Sequence, residues 1–199
     1  MQRLGRLAEG TPLAPELALP GSFWQLGAPL DLYSHWRGPG LATQAAAGRR
    51  LQLLPPLPGP APTQGARLRV RLLEDGYPGW VDLPALLGRA RSCAPLPPRL
   101  PLAEAIAAAI PAVLAFAEAA RLHPNRYLWG GTLGPDYDCS GFIQAAFAAA
   151  GIWIPRDAYQ QERFCQPVAV APGHYALLRP GDLIFFGRPQ RCTHVGLYW

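Results

Sequence analysis

Apolar residues are spaced differently in the two halves of the chain. Between Gly21 and Leu87 they come in short bursts separated by turn residues, and Arg67–Leu72 alternates polar and apolar side chains. A period of two residues is typical of a half-buried strand. The pattern therefore predicts a small β-barrel over residues 18–88, and the Pro- and Gly-punctuated residues 1–17 are expected to be disordered. Within the barrel, Tyr77-Pro78-Gly79-Trp80 predicts a tight turn.

The second half of the chain has helical spacing. Residues 89–101 are rich in proline and arginine, which predicts a linker. Between Leu102 and Leu122 the apolar positions recur every three or four residues, so a helix is expected there, and Pro111 should kink or break it. A second helix is predicted from about Cys139 to Ala150, because Gly151 suits the position just after a helix end.

Two apolar runs close the sequence, at 182–186 and at 195–199. Both are short and bounded by turn residues, which is typical of buried strands. Together with the helices they predict a second domain over residues 102–199. The expected fold class is therefore α+β, with a small β-barrel followed by a mixed domain.

Composition narrows the possible partners. The formal net charge of +5 and the pI of about 9.3 come from arginine alone, since the chain has no lysine. The arginines are scattered and form no stripe with aromatic residues, which disfavours nucleic-acid binding. No apolar run approaches the roughly 20 residues of a membrane span, and no leader-like apolar core is visible, so we expect a cytoplasmic protein. The four cysteines show no paired spacing for a metal, and we expect neither metal nor cofactor.

A cysteine and a histidine stand out as candidate chemistry. Cys139 follows Asp138 at the start of the predicted helix, where the helix dipole and the unpaired backbone N–H groups favour a thiolate. Asp138 is a suitable cap for this helix. His194 could then act as base and acid, and the backbone N–H of Cys139 could help to bind an oxyanion. Ser140-Gly141 would leave room for a substrate backbone. The alternative is a passive buried cysteine and an unrelated strand-end histidine.

Five segments of the second half resemble, in the same order, the NlpC family of bacterial cell-wall cysteine endopeptidases. They are Tyr127–Gly131, Tyr137–Gly141, Pro155–Gln161, Arg179–Phe186 and Thr193–Tyr198. The first half resembles the bacterial SH3-like domain of one subgroup, seen in cyanobacteria, through residues 41–49 and 74–80. The resemblance implies an SH3-like β-barrel followed by a papain-like catalytic domain.

The resemblance also implies a reaction. Cys139 would attack an amide carbonyl, with His194 as base and then acid. The subgroup cleaves murein peptides between γ-D-Glu and the diamino acid and needs a free N-terminal L-Ala, which implies a role in recycling or trimming cell-wall peptides. We expect a monomer, with no cofactor and no nucleic-acid partner.

Several further positions match the family's substrate pocket. Asp138 would provide the counter-charge for the L-Ala amine, and Tyr77 would close the pocket from the SH3-like domain. Trp129 and Ser140 match other pocket residues, and Thr193 stands where Ser or His is common. Arg156 could pair with a substrate carboxylate, but we favour an ordinary loop arginine paired with Asp157.

The family's third catalytic residue has no counterpart in this sequence. It is usually a histidine roughly a dozen residues beyond the base, where it orients the imidazole. That position falls beyond Trp199, so the catalytic domain is expected to be truncated at its C-terminal strands. Two alternatives stay open: a catalytically impaired cell-wall peptide-binding module, and an amidase or acyltransferase using the same Cys–His pair.

Overall fold

The chain divides into two compact units in the computed structural model, Met1–Pro98 and Arg99–Trp199. The structure describes residues 7–57, 67–97, 100–171, 173–188 and 190–199. Each unit has its own cluster of buried apolar side chains. Two separate cores are what a chain of this length forms when each half folds around its own elements.

Seven antiparallel strands form a single sheet in the first unit. They are β1 (Phe23–Leu26), β2 (Leu30–Tyr33), β3 (Leu41–Ala45), β4 (Arg50–Leu53), β5 (Leu68–Leu72), β6 (Pro78–Val81) and β7 (Ala90–Ser92). The strand order is β3-β2-β6-β5-β4-β1-β7. A short helix, α1 (Leu83–Leu86), follows β6 and places Leu86 in the core.

The alternating pattern of β5 produces the expected half-buried strand. Val70 and Leu72 are fully buried while Arg71 is exposed. The strand predicted over Arg67–Leu72 is thus confirmed. The closed barrel is not: β3 and β7 lie at opposite edges of the sheet and do not pair among the described residues. The first unit is therefore a β-rich, SH3-like sheet that stays open.

The tight turn predicted over Tyr77–Trp80 is wrong. Pro78–Val81 is strand β6, and the turn lies earlier, at residues 73–75. A buried charge cluster fixes this turn, because Arg49 forms ion pairs with Glu74 at 3.1 Å and with Asp75 at 3.0 Å. Asp75 also accepts the backbone N–H of Tyr77 at 3.1 Å. The side chain of Arg49, which is 25 residues from Glu74 in sequence, thus holds the turn.

Both ends of the first unit differ from the predicted boundaries. Residues 7–17 are ordered against the sheet: Leu13 is 4% exposed, a bridge joins Pro12 to Arg91, and a short 3-10 helix spans Pro15–Leu17. Residues 1–6 lie outside the described residues. β7 falls inside the predicted linker and pairs with β1, so the first unit continues at least to Ser92.

The described residues of the second unit form four strands and three helices. Its elements are α2 (Ala103–Arg121), β8 (Thr132–Leu133), β9 (Asp136–Tyr137), α3 (Cys139–Ala149), α4 (Ala158–Phe164), β10 (Leu183–Arg188) and β11 (Arg191–Leu197). The buried residues Val113, Ile143, Phe147, Ile154 and Val195 connect these elements in one core. Together the units confirm the predicted α+β class.

Pro111 does not break α2, which runs without interruption from Ala103 to Arg121. The ring removes the hydrogen bond to Ala107, but both residues face solvent, where water can satisfy the freed carbonyl. By length and composition, α2 is apolar enough to cross a membrane, although Val113 and Ala117 are buried in the second unit. The expectation that no segment spans a membrane stays a prediction.

α3 matches its prediction closely, and the two terminal strands do so in part. α3 ends at Ala149, and Gly151 adopts a positive φ of 79°, as a glycine just beyond a helix end often does. β10 and β11 pair antiparallel as a hairpin, but they are only partly buried, and Phe186 is 52% exposed. The expectation of two fully buried strands is therefore wrong.

Candidate active site

The candidate nucleophile occupies the first position of α3. Asp138 caps this helix, and its Oδ1 accepts the backbone N–H of Gly141 at 2.7 Å. The predicted cap is thus confirmed. The backbone N–H of Cys139 precedes the first intrahelical hydrogen bond, so it can donate to another acceptor. Cys139 is itself half-buried, which leaves part of its surface open to a ligand.

Packing inside the protein requires a glycine at position 141, and the expected room for a substrate backbone stays a prediction. A Cβ at this position would run into the carbonyl oxygen of Gly131. It would also come within 2.9 Å of Thr132 and within 3.0 Å of Asp138. The first turn of α3 therefore packs directly against the backbone carbonyl of Gly131.

Tyr127 is a contact of the nucleophile that the sequence did not single out. Its hydroxyl donates to the Cys139 Sγ at 3.7 Å, which is within the range of sulfur acceptors. Desolvation raises the pKa of Tyr127, and its hydrogen bond to Cys139 raises it further. The phenol therefore keeps its proton and its ability to donate. The only signal for Tyr127 in the sequence was its place in a family-like segment.

His194 lies on β11, opposite Phe186 of β10. The two rings are 5.8 Å apart between centroids. His194 is exposed, and it lines one cleft together with Cys139 and Tyr127. This cleft has a volume of about 360 Å³ and lies between α2, α3 and β11. The structure thus brings the predicted nucleophile and base to the same cavity.

A β-bulge sets the position of His194 in the hairpin. The register shifts between Phe186 and Gly187, which pair with His194 and Cys192, so Thr193 has no partner residue across the strand. Thr193 donates its hydroxyl to the Phe186 carbonyl at 3.4 Å. Bulges re-aim neighbouring side chains, and here the bulge immediately precedes the histidine. Thr193 itself faces solvent.

The other predicted pocket residues are found in three different settings. Trp129 is 76% exposed, whereas Ser140 is 6% exposed and lies in the first turn of α3. Tyr77 is half-buried just before β6 in the first unit. Their roles toward a substrate, and that of Thr193, stay predictions.

Arg156 is not the ordinary loop arginine that the sequence favoured. Its side chain is 2% exposed, and its guanidinium forms a two-pronged ion pair with Asp138, at 3.0 Å and 2.7 Å. Asp157 instead begins α4, where its backbone N–H donates to Gln160 at 3.4 Å. The carboxylate of Asp138 therefore already has a cation beside it. Its predicted role as counter-charge for a substrate amine stays a prediction.

Among the residues that the structure describes, no group of three or more His, Cys, Asp or Glu side chains could hold a metal ion. Within the same residues, the His194 ring has the Phe186 contact but no hydrogen-bond partner. The polar groups in the described part of the cleft are a thiol, an imidazole, two phenols, the side chains of Arg121, Asn125 and Asp138, and backbone N–H groups.

Two family descriptions match the chain. The NlpC/P60 family matches residues 124–199, and the bacterial dipeptidyl-peptidase Sh3 domain matches residues 32–86. The first range contains the whole described cleft apart from its α2 wall. The second covers β3 to β6 and part of β2.

Curated relatives match part of the chain. A gamma-D-glutamyl-L-lysine dipeptidyl-peptidase from Bacillus cereus is 44% identical over 75 residues, which is 36% of this chain and 21% of that protein. The protein of the same name from Bacillus subtilis is 41% identical over 36% of this chain and 24% of its own length. A bifunctional muramidase/DL-endopeptidase from Bacillus subtilis is 37% identical over 41% of this chain and 24% of its own length. The matched part thus spans about a quarter of these relatives.

Among solved structures, an NlpC/P60 family protein from Bacillus cereus is 26% identical, with a TM-score of 0.36 over 89% of this chain and 52% of that one. The family assignment rests on the two matched domains, which agree with the order of the folded units. The chain therefore contains a bacterial SH3 domain at residues 32–86, followed by an NlpC/P60 domain at residues 124–199.

Proposed function

We propose that this chain is a cysteine peptidase that hydrolyses an amide bond in peptidoglycan peptides. One observation carries the proposal: Cys139, at the first turn of α3, lines the same cleft as His194 and receives a hydrogen bond from Tyr127. A thiol at a helix start beside an imidazole is the arrangement that nucleophilic catalysis requires. The relatives that share this domain are named as peptidases.

In the proposed reaction the Cys139 sulfur attacks the carbonyl carbon of the scissile amide. The thiol proton goes to His194, and His194 then gives a proton to the leaving amine as the C–N bond breaks. The product of this step is a thioester on Cys139. A water molecule, deprotonated by His194, attacks the thioester, releases the carboxylic acid and restores the thiol.

The negative charge on the carbonyl oxygen needs hydrogen-bond donors. The Tyr127 hydroxyl lies beside the sulfur, and the backbone N–H of Cys139 interacts with the same phenol, which lowers the pKa of Tyr127 against the larger effect of desolvation. The raised pKa of Tyr127 keeps its hydroxyl protonated at neutral pH, so it can donate to the developing oxyanion. We propose that these two groups form the oxyanion hole.

The proposed scissile bond joins γ-D-Glu to a diamino acid in a peptide with a free N-terminal L-Ala. Two relatives carry the name gamma-D-glutamyl-L-lysine dipeptidyl-peptidase, which supports a γ-D-glutamyl bond with the dipeptide as one product. Tyr77, Trp129, Ser140 and Thr193 are proposed to contact the substrate, with Asp138 near its amine. A role in cytoplasmic recycling of cell-wall peptides completes the proposal.

A binding module without turnover is the second candidate. The observation that favours it is the His194 ring, which has no orienting hydrogen-bond partner within the described residues. Without such a partner an imidazole samples unproductive tautomers and orientations, which lowers catalysis strongly. The pocket around Cys139 would then still hold a cell-wall peptide.

One substrate tests both candidates. We expect the chain to release free diaminopimelate from L-Ala-γ-D-Glu-diaminopimelate, as measured by chromatography of the products. Cys139→Ala should lower this rate to the uncatalysed level because it removes the nucleophile. Calorimetric titration of Cys139→Ala with the same peptide measures binding without turnover. A wild-type rate equal to that of Cys139→Ala, with binding retained, would establish the binding module instead.

A further inference from the structure

We infer that Arg156 is a positioning residue for the Cys139 nucleophile, acting through the two residues on either side of it. The guanidinium donates to both oxygens of Asp138, at 3.0 Å and 2.7 Å, and to the Ser140 hydroxyl at 3.0 Å. It thus holds residue 138 and residue 140 while Cys139 between them stays half-buried at the cleft. The inference rests on the proposed role of Cys139 as nucleophile.

Asp138 connects Arg156 to two stretches of backbone through hydrogen bonds. Its Oδ2 accepts the N–H of Gly130 at 2.8 Å, and its Oδ1 accepts the N–H of Gly141 at 2.7 Å. Arg156 itself reaches the Gly131 carbonyl at 3.5 Å. The ion pair therefore joins the turn before β8 to the first turn of α3. A shift of the guanidinium would be expected to move both.

The segment that carries Arg156 is itself tied to α3. The Gln161 amide donates to the Ser140 carbonyl at 3.0 Å and to the Pro155 carbonyl at 2.8 Å. Gln161 is fully buried, so these hydrogen bonds have no competition from water. Residues 155–161 are therefore fixed against the first turn of α3. Arg156 is the charged residue of this segment, and it contacts Asp138 and Ser140.

Only an arginine fits all of these acceptors. A planar fork of N–H donors can meet both oxygens of a carboxylate and still reach a hydroxyl and a carbonyl, whereas the single ammonium of lysine cannot. Arg156→Lys keeps the positive charge beside the buried Asp138 and loses the fork. It therefore separates the geometric contribution of Arg156 from charge compensation.

The test measures the reactivity of individual thiols toward iodoacetamide, by mass spectrometry of the digested protein. Cys139 is compared with Cys165 and Cys192 in the same domain, which report general loosening. For Arg156→Lys we expect alkylation of Cys139 to slow about tenfold or more, with the other two thiols unchanged, since small displacements of a reacting group cost large factors. Hydrolysis of the murein peptide should fall in parallel through kcat.

Two further variants keep the result interpretable. Arg163→Lys is the matched control, because Arg163 lies exposed on α4 over the Tyr159 ring, and it should leave every thiol unchanged. Ser140→Ala removes one acceptor of the guanidinium and leaves the ion pair with Asp138 in place, so it should slow Cys139 by a smaller factor at an unchanged melting temperature.

Three outcomes would overturn the inference. Equal Cys139 rates in the wild type, Arg156→Lys and Ser140→Ala would show that the guanidinium does not position the thiol. A joint rise at Cys139, Cys165 and Cys192 would mean that Arg156 supports the fold in general. If Cys139 in the wild type reacts no faster than Cys165, the assignment of the nucleophile fails, and the inference fails with it.

Discussion

At the scale of single residues, the Tyr127 hydroxyl is a side-chain donor in direct contact with the proposed nucleophile. It points at the Cys139 sulfur from the segment before β8. Tyr127 is 62% exposed as a whole, yet desolvation at its hydroxyl raises its pKa. An exposed ring with a shielded hydroxyl suits a residue that meets a substrate and donates one hydrogen bond.

Replacing this hydroxyl should therefore affect the chemical step more than binding. For Tyr127→Phe we expect kcat on the murein peptide to fall about a hundredfold, as removal of one oxyanion donor does elsewhere, with KM nearly unchanged. Tyr159→Phe is the control, since Tyr159 is an exposed residue of α4 outside the cleft. A Tyr127→Phe enzyme with wild-type kcat would exclude the hydroxyl from the oxyanion hole.

The pH profile gives a second measurement on the same residue. Because the pKa of Tyr127 is raised, its phenol stays protonated throughout the neutral and moderately alkaline range. The donor should be lost only above about pH 10, the ordinary pKa of tyrosine. If kcat of the wild type already falls with rising pH below pH 10, another group causes that fall. The same fall should therefore persist in Tyr127→Phe.

Local patterns in the sequence marked Cys139 and His194 as candidates, and the family-like segments around them favoured a catalytic pair over a passive cysteine and an unrelated histidine. Arg156 and Tyr127 could not be understood in the same way. Their importance depends on partners 18 and 12 residues away, which no local periodicity reveals. The family-like segments marked their positions, but the contacts that define their roles appear only in the fold.

At the scale of elements, the start of α3 is the most tightly constrained part of the site. It is capped by Asp138, supported from below by Gln161, and pressed against the Gly131 carbonyl at Gly141. The backbone at this point cannot move toward the preceding turn without a clash. The helix dipole and the unpaired N–H groups at the nucleophile are therefore fixed in direction before a substrate binds.

Gly141→Ala should destabilise the second unit although alanine favours helices. Its Cβ would overlap the Gly131 carbonyl, and overpacking of this kind costs about 1–3 kcal/mol, more than the gain of up to about 1 kcal/mol in helix propensity. Urea unfolding would measure the loss. Gly196→Ala on β11 is the control, since its Cβ would meet only Phe186 at an ordinary 3.6 Å. Equal stabilities of the two variants would contradict the clash.

Element types were predictable where one periodicity was sustained, as in β5, α2 and α3. The errors arose where a single residue type was taken to decide the structure. Proline at 111 lies on the solvent side of α2, so its missing hydrogen bond costs little. Tyr77–Trp80 contains Pro and Gly, yet the ion pairs of Arg49 place the turn at residues 73–75. Tertiary contacts decided both cases.

At the scale of the whole molecule, each unit forms its own hydrophobic core. The boundary between the units was harder to predict than the secondary structure within each of them. The proline-rich appearance of 89–101 concealed β7, whose three residues pair with β1. Likewise, residues 7–17 looked unstructured because their order comes from packing on the sheet, as at Leu13. Short segments that depend on a distant strand carry almost no pattern of their own.

Both units contain thiols whose proton the folded state retains. Desolvation raises the pKa of Cys93 in the first unit and of Cys165 and Cys192 in the second. Burial likewise raises the pKa of Tyr137. Above the ordinary thiol pKa of about 8.5, the unfolded chain loses these protons before the folded chain does, so it binds fewer of them.

Stability should therefore be fully present below about pH 8.5 and fall as the pH rises through the folded-state pKa values of these groups. Urea unfolding at a series of pH values from 7 to 10 measures this decline. Cys192→Ala removes one ionisable thiol from the core of the second unit and should make the decline shallower, although its stability at neutral pH is lower. If the free energy of unfolding declines with pH equally steeply in Cys192→Ala and in the wild type, deprotonation of Cys192 does not cause the loss of stability at alkaline pH.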